Sequence, residues 1–140
     1  MDLKEMLQTV LYTEGEERIA LAKRSLNFAL EELPKFDVPK DSYGLFVLAL
    51  IKLFVRADRE VSYEEFSFIT EVLNLHIPFQ DFVKKMDDKV DEAFMSWVDN
   101  LINLFSHDGK EAICLFGLCI MESDDVLTAS EQQLFERLIG

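Results

Sequence analysis

The side chains best suited to do chemistry in this chain of 140 residues are carboxylates gathered around two short segments. Asp58, Glu60, Glu64 and Glu65 form one group, and Glu122, Asp124, Asp125 and Glu131 form the other. Carboxylates and turn carbonyls are the hard oxygen ligands that Ca²⁺ and Mg²⁺ require, so both segments are candidate divalent-cation sites. The same residues suit a second task. Ser62-x-x-Glu65 and Thr128-x-x-Glu131 have the form of a capping box: the hydroxyl accepts from the amide three residues on, and the carboxylate accepts from the cap amide. Each such cap is worth about 1 kcal/mol. Asp108-x-x-Glu111 is a third, weaker box. Capping accounts for Glu65 and Glu131 but gives Asp58, Asp124 and Asp125 nothing to do. These five residues are the candidate metal ligands.

An EF-hand is excluded. Asp58 to Phe66 imitates the second half of that loop, but counting back from Glu65 as position 12 puts Phe54 and Arg56 at the first and third ligand positions. Position 6 is Arg59, where the sharp turn needs glycine.

The elements that must position these acids repeat. Ala57-Asp58-Arg59-Glu60-Val61-Ser62 follows one apolar stretch, and Ser123-Asp124-Asp125-Val126-Leu127-Thr128 follows another, in a constant register. A repeated unit of apolar helix, acidic turn and capped helix is the sequence signature of an internal duplication. It spans residues 40–75 and 106–140. Val47, Leu50 and Leu53 match Ile113, Phe116 and Cys119, while Ile69 and Val72 match Phe135 and Leu138. The expected arrangement centres the two apolar helices on a pseudo-two-fold axis, although parallel stacking of the units satisfies the same pattern.

Helical periodicity runs through the rest of the chain, with no sustained strand alternation. Leu3, Met6, Leu7 and Val10 predict a short first helix. Ile19, Ala22, Leu26, Ala29, Leu30 and Leu33 predict a second, stopped by Pro34. Pro39 opens a helix to about Arg56, whose middle, Leu45 to Ile51, is apolar on every face and therefore expected to be surrounded. Ser62 starts a helix with Phe66, Ile69, Val72 and Leu73 inward. Pro78 starts another with Phe79, Phe82, Val83 and Met86. Val90, Phe94, Trp97, Val98, Leu101, Ile102 and Phe105 form the strongest stripe. His107-Asp108-Gly109 reads as a turn, before helices over Ala112–Met121 and Thr128–Ile139. The fold class is all-α: one domain, residues 1–140, a compact bundle of about eight short helices with residues 1–35 as an N-terminal helical extension.

These acidic turns, present twice among helices, resemble the TerB-like (tellurite-resistance) domain family over residues ~40–140. The resemblance rests on the apolar helix, the Ala-Asp-Gly-like turn and the Ser/Thr-x-x-Glu start. It implies an all-α fold and acidic turn residues proposed to bind metal ions, which here fall on Asp58 and Glu65 and on Asp124 and Glu131. It also implies association with stress responses to toxic oxyanions and with membrane-linked or phage-defence complexes. The chain departs from the family at the third turn position, where glycine is usual and Arg59 and Asp125 stand. Arg59 can pair with Asp58 and displace a cation; Asp124 and Asp125, with no nearby base, make the second turn the better candidate.

Composition narrows the remaining classes. With 49% hydrophobic residues and 12 Phe, a core can form without metals or disulfides. The formal charge of −13 is uneven: residues 1–86 hold 15 acids and 11 bases, whereas residues 87–140 hold 12 and 3. Such a surface repels phosphate backbones, so nucleic acid is not an expected partner; cations or a basic protein are. No apolar stretch reaches bilayer length, and the first residues lead into a charged helix instead of a leader, which fits a cytoplasmic protein without membrane insertion. Cys114 and Cys119 point in different directions on one helix and read as reduced core residues. His76 is expected at a helix C-terminus, complementing the dipole, and His107 in an exposed turn. No Glu-x-x-His pair, phosphate loop or nucleophile elbow occurs, so no enzymatic activity is expected. Two functions remain. One is a TerB-like module that binds divalent cations weakly and uses its acidic surface in a complex. The other is a metal-independent acidic adaptor or immunity-type inhibitor of a basic partner.

Overall fold

A computed structural model describes residues 2–57, 62–87, 92–121 and 129–139. Among the described residues the chain is helical throughout: α1 (Leu3–Leu11), α2 (Glu16–Leu30), α3 (Tyr43–Ala57), α4 (Tyr63–Leu73), α5 (Phe79–Asp87), α6 (Glu92–Leu104), α7 (His107–Met121) and α8 (Ala129–Ile139). Two 3-10 turns, Leu33–Phe36 and Lys40–Ser42, join α2 to α3. Pro34 lies at the start of the first and Pro39 just before the second. Proline fits the opening turn because its missing amide has no helical partner there.

The centre of the bundle is α7. It packs against α1, α2, α3, α4 and α8, most extensively against α2. Its composition fits that place: Ala112, Ile113, Cys114, Phe116, Leu118, Cys119, Ile120 and Met121 are all buried, so apolar residues are needed all round. The first 35 residues belong to the same core, since Met6, Val10, Ala22, Leu26, Ala29 and Leu33 are buried. Arg18 holds the α1–α2 corner by donating to the carbonyls of Val10 (3.1 Å) and Thr13 (2.7 Å). The corner itself turns at Gly15, whose φ of 53° is open to glycine at little cost.

The second apolar helix meets α7 through one close approach. Phe54 of α3 lies so near Gly117 that a Cβ there would overlap its ring. The ring also stacks on Phe135 of α8 at 5.6 Å and meets Phe116 edge-on at 6.5 Å. Three fully buried phenylalanines thus join α3, α7 and α8, each contributing about 2 kcal/mol or more by burial.

Four features differ from the sequence-based expectations. The middle of α3 is not surrounded: Leu45 is 53% exposed and Val47 and Leu48 are only half-buried. Accordingly, Leu50/Phe116, Ile69/Phe135 and Val72/Leu138 match in burial between the two repeated units, whereas Val47 and Leu53 are less buried than Ile113 and Cys119. His107-Asp108-Gly109 is the first turn of α7, not a connecting turn. The reason is the true cap, Ser106, whose Oγ accepts from the Gly109 amide at 3.0 Å, so Asp108 does not play the part of a capping residue. Finally, α4 stops at Leu73 because Asn74 turns left-handed (φ 54°), with the Leu75 amide donating to Thr70 O at 2.9 Å. That is a Schellman-type stop, and it leaves His76 exposed beyond the helix end.

Candidate functional site

The start of α4 shows how one of the candidate acids is used. Ser62 is extended (φ −81°, ψ 157°) and its Oγ accepts from the Glu65 amide at 3.0 Å. In return the Ser62 amide donates to Glu65 Oε1 at 3.2 Å. The capping box read from the sequence is therefore complete, and Glu65 is 8% exposed. A carboxylate in the first helical turn also meets the positive end of the helix dipole. Its counterpart, Glu131, stands in the first turn of α8 and is 5% exposed. Both glutamates are thus buried in the first turn of their helices. Asp58, Asp124 and Asp125, the other three candidate ligands, lie outside the described residues, as do Glu60, Val61, Glu122 and the cap residue Thr128. Among the described residues no three His, Cys, Asp or Glu side chains gather as a metal-binding group.

A third buried acid plays a part that no local motif announces. Glu32, 5% exposed at the end of α2, accepts from the Ser106 amide at 2.8 Å and from Ser106 Oγ at 2.6 Å. In an ordinary capping box the carboxylate comes from the third residue of the same helix. In α7 that residue is Gly109, and Glu32 supplies the carboxylate from 74 residues away. A Cβ at Gly109 would overlap Glu32 Oε2. The missing side chain makes room for the distant one.

Among the described residues, two grooves stand out. One, of about 390 Å³, runs between the α1–α2 corner and the outer face of α4, where Tyr63, Glu64, Ser67, Phe68 and Glu71 share one side at helical spacing. The other, of about 340 Å³, lies between α3 and α5 beside Leu48, Ile51, Leu75, Ile77 and Phe82, and Lys85 stands on its rim. The α4 signal was present in the chain as a polar–aromatic face opposite the buried stripe Phe66, Ile69 and Val72.

The remaining reactive groups are quiet. Burial first, and the Glu111 carboxylate second, push the Cys114 thiol up to about 12, so it stays protonated and poorly nucleophilic at neutral pH. Cys119 is likewise buried and forms no disulfide. His107 lies on the exposed side of α7, with Nε2 3.2 Å from Glu111 Oε1. Trp97 stacks on Phe94 at 5.7 Å and packs half-buried against the core. Among the described residues no helix is long and apolar enough to cross a membrane.

Compared with known proteins, the chain matches no family model, no curated protein and no solved structure.

Proposed function

We propose that this chain is a non-catalytic, TerB-like interaction module: an acidic helical domain whose two acidic turns hold divalent cations weakly and whose surface engages a protein partner. The observation that carries the reading is the equivalence of Glu65 and Glu131. Both are buried in the first turn of a helix, and in the sequence each follows a segment rich in carboxylates at the same register. An internal duplication accounts for that equivalence, and the family resemblance rests on the same repeated pattern of apolar helix, Ala-Asp-Gly-like turn and Ser/Thr-x-x-Glu start. The Cys114 thiol, kept protonated by burial, suits a role in binding better than one as a nucleophile.

One observation favours a second reading. Glu65 already uses Oε1 to hold the Ser62 amide, as a pure helix cap does. On that reading the acids start helices, no metal is involved, and the charge of −13 serves a basic partner directly.

Thermal unfolding of metal-stripped protein separates the two. A cation that binds the native state raises the midpoint by mass action. The module reading expects a saturable rise with Ca²⁺ or Mg²⁺ that is reduced in the Asp124→Ala/Asp125→Ala variant, which removes the second turn's ligands. A rise no greater than that given by matched NaCl, and equal in the variant, selects the metal-independent adaptor.

A further inference from the structure

The groove between the α1–α2 corner and α4 combines three chemistries that point to one kind of occupant. Its floor is apolar, from Ile19 and Phe68, both half-buried. Its side is an exposed aromatic: Tyr63 is 62% exposed, and its ring is held by Phe66 at 5.6 Å and Phe79 at 5.5 Å. Its rim carries two exposed carboxylates, Glu64 and Glu71, two helical turns apart.

Among the described residues the charge around the groove is mainly negative. Glu14, Glu16 and Glu17 are exposed on the adjoining corner. Arg18, the cation among the described lining residues, turns a guanidinium nitrogen inward to the Val10 and Thr13 carbonyls. An apolar floor takes methylenes, an exposed electron-rich ring takes a cation on its face, and flanking carboxylates take the charged head. Only lysine and arginine side chains offer all three.

We propose that this groove is the docking site for a basic segment of the protein partner, seating a lysine or arginine side chain against Tyr63 and between Glu64 and Glu71. The proposal rests on the acidic-interaction reading above and gives it a location. It moves the contact surface away from the most acidic part of the chain, residues 87–140, to the outer face of α4. The ring contacts of Tyr63 with Phe66 and Phe79 reduce the side-chain freedom to be lost on binding, which favours affinity. The α3–α5 groove offers no comparable argument, because the charged side chain among its described lining residues is Lys85, itself a cation.

The test uses the ¹⁵N-labelled 140-residue chain titrated with acetylated, amidated hexalysine and hexaarginine peptides, against a matched NaCl titration. Amide shifts concentrated at Gly15, Ile19, Tyr63, Ser67, Phe68 and Glu71 are expected. Binding should weaken about three- to tenfold in Glu64→Gln/Glu71→Gln, as expected for loss of two exposed ion pairs. Both substitutions lie on the surface and leave the core intact. The Tyr63→Ala variant should lose affinity at high salt as well, because its contribution is less screened. Shifts centred on Glu92, Asp99 and Asp108 instead would overturn the groove while leaving the acidic-module reading in place. No shift beyond that given by NaCl would overturn both.

Discussion

The Glu32 carboxylate receives both the amide and the hydroxyl of Ser106, at 2.8 and 2.6 Å, and so closes the start of α7 from the end of α2. This is a tertiary contact in the form of a local cap. It fixes where the central helix begins and ties the N-terminal 35 residues to it. A charged hydrogen bond of this kind contributes about 1.5–3 kcal/mol, more than a surface cap. Glu32→Ala should therefore lower stability by about 2–3 kcal/mol. In a double-mutant cycle with Ser106→Ala, urea unfolding should show coupling well above about 0.5 kcal/mol.

Gly109 provides a prediction whose sign depends on that contact. Alanine is favoured over glycine inside a helix by about 1 kcal/mol. Here the new Cβ would meet the Glu32 carboxylate, so the overlap outweighs the propensity and Gly109→Ala should destabilise. In the Glu32→Ala background the obstacle is gone, and the same substitution should become neutral or stabilising. Unfolding midpoints of the four proteins check the reversal.

Phe54 and Gly117 supply the matching test at the α3–α7 contact. Phe54→Ala removes a fully buried ring between Phe116 and Phe135 and should cost about 3–5 kcal/mol. Gly117→Ala should also destabilise, despite its better helix propensity, because the Cβ overlaps the Phe54 ring. A Gly117→Ala protein as stable as the parent, measured by thermal unfolding, contradicts the packing described.

Cys114 makes stability fall at high pH. Its thiol is raised from 9.0 to about 12 in the fold by burial and by Glu111, so the native state holds a proton that the unfolded chain releases. The associated stability is complete below about pH 9 and is lost as the pH rises toward 12. Urea unfolding between pH 7 and 10.5 should show a decline that is shallower in Cys114→Ala. In the same vein, iodoacetamide should not label Cys114 at pH 8 until the protein is unfolded.

What could be read from the chain follows the range of each interaction. The Ser62–Glu65 box spans three residues, and its motif is complete within them, so it is legible without a fold. The stripes of α2, α4 and α6 are legible because helical spacing carries burial directly. Glu32 is not, because nothing near it in sequence announces a partner 74 residues away. The start of α7 is hidden for the same reason: His107-Asp108-Gly109 has turn composition, and only the carboxylate from α2 explains glycine there. Leu45 misleads because an apolar run reports hydrophobicity but not whether neighbours suffice to cover it. Tyr63 and Phe68 lie on the outer face of α4, and only the groove they line with Ile19 makes them a candidate site.

The central claim is that the two acidic turns are cation sites in a duplicated helical module. The most direct measurement is paramagnetic broadening of ¹⁵N-labelled, metal-stripped protein by substoichiometric Mn²⁺. The claim predicts broadening centred on the residues that flank the turns, Ser62 to Phe66 and Ala129 to Gln132, relieved by excess Mg²⁺ or Ca²⁺ and lost at the second turn in Asp124→Ala/Asp125→Ala. Broadening spread evenly over the exposed acids, unchanged by that variant, would contradict it and leave Glu65 and Glu131 as helix caps.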